Sequence, residues 1–410
     1  LRGHQENRPC LANQRRMSLH PINPGSVVRR RRGIGTVAAL TAVILLLAVL
    51  SAAILPRDAA HDPGAAPGAS QRPRAVVMGF YTDPEPGLPG SLGTARARSE
   101  QLTFVCPFWY RIGFAADGAI IPYADWFDAE HARAVTRELQ EAGVRVLALI
   151  HNMRLGAGHD MRAIFHTILS DPARRTTLVG NIVALLEQEG YDGVNLDTEH
   201  LYPADRHLFT AFVAELAAEL RPRGLLVTAD LPAQLGDDPM HGWSGGFDLA
   251  ALAPHLDYIA IMAYDEHGWV TTAGPVASIG FVRAALEYAV SVAPPEKVLL
   301  GLAGHVFDWR EGERFPAYTS YARAMATAEG NGAALRWDEE AKSPYFDYLE
   351  PSSGTRRQVW YEDARSYAYK LDLVHELELG GVALWRLGLE DEALWELLHG
   401  LMLGEAMVAN

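Results

Sequence analysis

The sequence predicts an α/β protein built as a (β/α)8 TIM barrel, with a small α+β insertion between strands seven and eight. Three observations carry that expectation. Eight short runs dense in Val, Ile, Leu and aromatic residues recur along 75–410, as parallel strands buried on both faces do. Stretches with helical periodicity separate them. The span exceeds the about 250 residues that such a barrel uses, leaving room for an insertion. A doubly wound open sheet is the alternative, disfavoured because no Gly-rich phosphate loop follows the first strand.

The expected strands are 75–81, 102–110, 144–150, 193–199, 225–231, 258–264, 298–302 and 381–385. Ser170-Asp171-Pro172 predicts a capped helix start with Pro at its first position. Leu208, Phe209, Phe212, Val213, Leu216 and Leu220 recur with a helical period. The surplus length falls at about 307–361, where 318–328 reads as helix and 333–337, 345–349 and 356–361 read as short strands. That insertion is expected to wall one side of a cleft. No internal repeat is evident, nor a separate wall-binding module.

Ahead of the barrel, Arg29 to Arg32 precede an uncharged, largely aliphatic run at 33–56. At about 1.5 Å per residue it would span about 36 Å, enough for a hydrocarbon core of about 30 Å. The basic side predicts an N-in orientation with the body outside the cytoplasm. A retained anchor is favoured over a cleaved signal, although Ser51-Ala52-Ala53 offers a cleavage site. Met17 is an alternative start, which would leave 1–16 untranslated. The stretch 1–32 then reads as a basic cytoplasmic segment, 57–74 as a flexible linker rich in Ala, Pro and Gly, and 75–400 as the catalytic barrel.

Composition narrows the function. Of 410 residues, 49% are hydrophobic and 21% charged, an ordinary globular balance. The net charge of −14 divides into +7 over 1–56 and −21 beyond. So acidic a body would repel a phosphate backbone, which argues against nucleic-acid binding. Cys10 and Cys106 cannot build a disulfide framework. The fifteen His show no HExxH-type spacing, so neither a metal nor another cofactor is expected.

The informative segment is Asp192-Gly193-Val194-Asn195-Leu196-Asp197-Thr198-Glu199. A side-chain period of two puts Asn195, Asp197 and Glu199 on one face. In a barrel strand that face looks into a packed interior, where carboxylates are costly unless paired or used. Glu199 falls at the strand's C-terminal end, where barrel active sites are built. Two carboxyls about 6–7 Å apart at their Cα atoms raise each other's proton affinity. A protonated Glu at a cleft rim is a general acid. Two acids on one strand do not easily flank a sugar ring from opposite faces, so participation by the substrate itself becomes attractive.

That segment resembles the DxxDxDxE signature of glycoside hydrolase family 18, the chitinase-type barrels. Asn195 stands where chitinases usually carry Asp, a departure common in the spore-cortex-lytic N-acetylglucosaminidase branch. Met262-Ala263-Tyr264-Asp265-Glu266-His267 resembles the family's MxYD motif, Gly381-Val382-Ala383-Leu384-Trp385 its eighth strand, and Val359-Trp360-Tyr361-Glu362-Asp363 the cortex-lytic branch. The resemblance covers about 75–395. It implies that Glu199 protonates the glycosidic oxygen while the substrate's 2-acetamido oxygen attacks the anomeric carbon, with overall retention. It further implies that Asp197 orients the acetamido group, the Tyr264 hydroxyl binds it, and Trp385 stacks beneath the sugar.

Asn195, Asp265, Tyr81, Asn152 and His267 are further candidates for substrate contact, and Asp192 is expected to organise local structure. The expected partner is a glycan containing N-acetylglucosamine, met by a monomer at the membrane. Peptidoglycan, chitin fragments and an exopolysaccharide all qualify. The alternative is a lectin-like barrel that has lost catalysis, but such barrels lack the Glu or its Asp partner.

Overall fold

A computed structural model describes residues 74–153, 158–269 and 271–405, all within the unit Ser70–Asn410. The basic stretch 1–32, the apolar run 33–56 and the linker at 57–73 lie outside the described residues. Among the described residues, no helix is long and apolar enough to cross a membrane.

Eight parallel strands close into a ring. They are β1 (Val76–Tyr81), β2 (Phe104–Pro107), β3 (Arg145–His151), β4 (Gly193–Asp197), β5 (Leu226–Pro232), β6 (Tyr258–Met262), β7 (Val298–Ala303) and β8 (Gly381–Trp385). Each pairs with the next in order, and β8 returns to β1 through Val76↔Gly381 to Gly79↔Leu384. The expected (β/α)8 barrel is therefore the observed one.

Some boundaries differ from expectation. The second strand stops at Pro107, where the Trp109 amide turns back to the Pro107 carbonyl. The chain then resumes as Tyr110–Ile112, parallel to β3 and antiparallel to Ile120–Pro122. Strands β4 and β6 end two residues early, which releases Glu199 and Tyr264 from the ladder.

Helices cover the outside. The Asp171 carboxylate caps Pro172–Glu189 by accepting from the Ala173 and Arg174 amides, and left-handed Gly190 ends the helix. Phe209, Phe212, Val213, Leu216 and Leu220 form the buried stripe of Arg206–Leu220. The core has two layers. One lies between strands and helices, and includes Val77, Val105, Ile150 and Leu196. The other fills the barrel with Val76, Met78, Phe80, Phe104, Phe108, Leu147, Leu149 and Leu299. Each large apolar side chain so buried contributes about 1.5–3 kcal/mol.

Between β7 and β8 stands a five-stranded antiparallel sheet, in the order 317–320, 305–310, 356–360, 343–349, 336–338. The first two of these strands were not expected. The helix expected at 318–328 begins instead at Tyr321, because the Ser320 hydroxyl caps it. One face of the sheet packs Val306, Phe346 and Val359 on that helix. The other carries Phe307, Trp309 and Trp360 toward Ala303 and Tyr264 at the barrel mouth. The 359–363 motif joins insertion to barrel: Tyr361 is buried, Glu362 pairs with buried Lys370 at 2.5 Å, and Asp363 caps Ala364–Glu376.

Candidate active site

Most of the barrel interior is apolar, and a group of its buried polar side chains gathers where β3, β4 and β5 meet. Period two turns Asn195 and Asp197 of β4, and Thr228 and Asp230 of β5, into the same interior, and all four are buried. Glu199 follows Asp197 onto the C-terminal rim, partly exposed, and the two carboxyls share a hydrogen bond. Burial pushes the Asp197 carboxyl up to about 7. Burial, then the neighbouring Asp197, holds Glu199 well above the usual range. A glutamic acid that holds its proton more tightly than usual, at the open end of a barrel, is equipped to donate it.

Tyr264 stands across this pair. Burial, then Asp230, Asp265, Asp197 and Glu199, keep its phenol protonated and able to donate. Its ring fits because β7 carries a glycine opposite: a Cβ on Gly301 would run into the Ile261 carbonyl and lie 3.0 Å from the Tyr264 ring. Trp385, half-buried at the end of β8, rests against Phe80 at 5.5 Å and Phe108 at 5.7 Å between ring centroids. It presents a flat apolar surface at the mouth.

A family model described as Glycosyl hydrolases family 18 matches residues 118–390. The chain belongs to that family. It is 32% identical over 273 residues to the Bacillus subtilis protein named sporulation-specific glycosylase YdhD, covering 66% of this chain and 64% of the relative. To the Bacillus subtilis cortical fragment-lytic enzyme it is 30% identical over 238 residues, 56% of this chain and 54% of the relative. The chain thus spans little more than half to two thirds of these curated relatives. The crystal structure of a chitinase from Chromobacterium violaceum matches with a TM-score of 0.72 at 28% identity, covering 80% of this chain and 99% of that one. Strands β1 and β2 precede the matched segment, yet they complete this family-18 barrel.

Around the family-18 pair the expected residues sort themselves. Asp192 accepts from the Val146 amide at 2.8 Å and from Gln140 at 2.9 Å, tying the foot of β4 to β3. Asn152, expected to touch substrate, is instead buried with both ends of its amide on the His200 backbone, at 2.9 Å each. It holds the loop that follows Glu199. Tyr81 is a correction: it faces the helix layer, its hydroxyl donating to Asp83 at 3.1 Å, because on β1 the inward residue is Phe80. His267 lies in the loop after β6, its ring against Gly274 and Nδ1 2.9 Å from the Thr272 carbonyl. Asp265 reaches the rim with φ 58°, bonded to His305 Nε2 at 2.7 Å.

Three residues of the site escaped the sequence reading. Asp230 was visible as an acid in an apolar run, two residues after Thr228. His305 begins the insertion two residues beyond the end of β7, where no pattern marks it. His151 ends β3 beside Asp197, stacked on Phe108 at 4.2 Å. Burial, with Arg111 and His200 nearby, pushes it down to about 3, so it is neutral at ordinary pH. Among the described residues, no group of His, Cys, Asp and Glu is arranged to hold a metal ion.

Proposed function

We propose that this chain is a glycosidase that cleaves β-linked N-acetylhexosamine glycans with retention, using the substrate's own acetamido group as nucleophile. One observation carries the reading: at the C-terminal mouth of the barrel the buried Asp197 carboxyl and the Glu199 carboxyl act on each other, beside Tyr264 and Asp230. In this account Glu199 gives its proton to the leaving oxygen. Asp197 accepts from the acetamido N–H and stabilises the positive charge of the oxazolinium ion. Tyr264 donates to the acetamido oxygen as it attacks, and Trp385 supports the sugar ring. Asn195 and Asp265 shape the walls. Glu199, now a carboxylate, then takes a proton from a water that attacks the anomeric carbon. The oxazolinium ring opens, the acetamido group is restored and the acid is regenerated, so water is the one co-reactant.

An envelope glycan suits a body held outside the cytoplasm, and peptidoglycan leads because the matched relatives include cortical fragment-lytic enzymes. Chitin oligomers follow, by likeness to the chitinase. The test is to incubate the full chain with purified peptidoglycan and with chitooligosaccharides, and to weigh the products by mass spectrometry. New fragments ending in N-acetylhexosamine are expected from at least one. Tight binding with no product would instead make the chain a lectin. For the anchor at 33–56, the full chain is expected in the membrane fraction with a protease-accessible body outside; full recovery in the cytosol would contradict it.

A further inference from the structure

We propose that Asp230 of β5 is a positioning residue for the Asp197–Glu199 pair, supplying from the neighbouring strand a carboxyl that Asn195 does not offer. This rests on the reading that Asp197 and Glu199 carry the reaction.

The register places it. Leu196 pairs with Ala229, so Asp197 and Asp230 follow at the next level of adjacent strands, facing one interior. Backbones of paired strands lie about 4.8 Å apart, which brings the two carboxyls within interaction distance. Asn195, one level below, bridges the strands. Its amide donates to Thr228 Oγ1 at 3.0 Å and to Asp230 Oδ1 at 3.1 Å. An aspartate at 195 would put its carboxyl against Asp230. An asparagine there instead offers a donor to it.

Asp197 is thereby flanked on three sides: by Glu199 above, Asp230 on β5 and His151 on β3. Cys106 of β2 and Tyr264 after β6 are the other titratable groups that feel Asp230. None of the three carboxyls has an ion pair with Arg or Lys among the described residues, and the flanking His151 is neutral. Three acids packed without a cation cannot all ionise. Burial and Asp197 hold the Asp230 proton affinity well above the ordinary carboxyl range. The work of Asp230 is to share that limited charge with Asp197 and keep the Asp197–Glu199 pair protonated to higher pH. It touches no substrate.

The experiment compares pH profiles of kcat/KM for the full-length wild type, Asp230→Asn, and the relocated variant Asn195→Asp with Asp230→Asn. Removing a chargeable neighbour lowers the proton affinity of Glu199, which Asp230 helps to raise. The profile of Asp230→Asn is therefore expected to move to lower pH by about one unit, with about tenfold lost on the limb where the wild type works. The relocated variant returns the acid to β4 and is expected to recover the wild-type profile. A role in packing alone would leave the profile in place, and moving the acid would not rescue it. An unshifted Asp230→Asn profile overturns the proposal, as does a relocated variant that melts cooperatively yet keeps the shifted profile. Carboxyl ¹³C NMR titration reads the same coupling without turnover: Glu199 should titrate lower in Asp230→Asn. An inactive wild type with that NMR shift would sink the catalytic reading and leave the coupling. Unchanged titration with an active wild type would do the reverse.

Discussion

Replacing Glu199 by Gln is expected to lower kcat/KM by roughly 10²–10⁴-fold. The amide keeps the size of the acid and a hydrogen bond to Asp197, but it has no proton to give the leaving oxygen. The same change is expected to stabilise the fold at neutral and alkaline pH, and the sign follows from linkage. Burial and Asp197 raise the Glu199 pKa in the folded chain. Between the unfolded value of about 4.3 and that raised value the native state binds more protons than the unfolded one. Stability contributed by the acid is therefore whole below that window and falls as pH rises through it. Gln is not subject to this loss. Thermal unfolding should show the variant above wild type at pH 8, the gap closing toward pH 4. A variant equal to wild type in turnover would remove Glu199 from the chemistry.

A residue that weakens the fold while serving the reaction belongs to a site, and the sequence reading found this one by contrast. On β4 the polar positions 195, 197 and 199 alternate with Val194, Leu196 and Thr198, so the inward face declares itself. On β1 every residue of Val76–Tyr81 is buried. A run apolar on both faces has no such contrast, and Tyr81, a candidate for substrate contact, lies in the helix-side layer while Phe80 faces inward. Strand β5 sits between these cases. Its Thr228 and Asp230 carry the period, but the surrounding apolar run reads as a fully buried strand.

The barrel itself was legible because parallel strands covered by helices need continuous apolar runs. Its insertion was less so. The strand His305–Arg310 begins just past β7, and the two merge into one apolar stretch in the sequence. What joins Asn152 to His200, or His305 to Asp265, depends on loops meeting across the barrel mouth. No local spacing encodes those contacts.

The second large effect lies in the substrate. If the acetamido oxygen is the nucleophile, the chain itself supplies none. Asp197 ends β4 and Glu199 follows two residues later, so both approach the sugar from one side. Replacing the acetamido group of the cleaved sugar by a free amine removes the attacking oxygen. It also removes the N–H that Asp197 would hold and the carbonyl that Tyr264 would bind. Turnover should fall below detection while the rest of the glycan still docks on Trp385.

The central claim therefore comes to one measurement: product formation by the full chain from two glycans of equal length and linkage, one N-acetylated and one de-N-acetylated at the cleaved sugar. The account predicts cleavage of the acetylated glycan alone, with the β-anomer appearing first by ¹H NMR. Comparable cleavage of both, or a first-formed α-anomer, would contradict it.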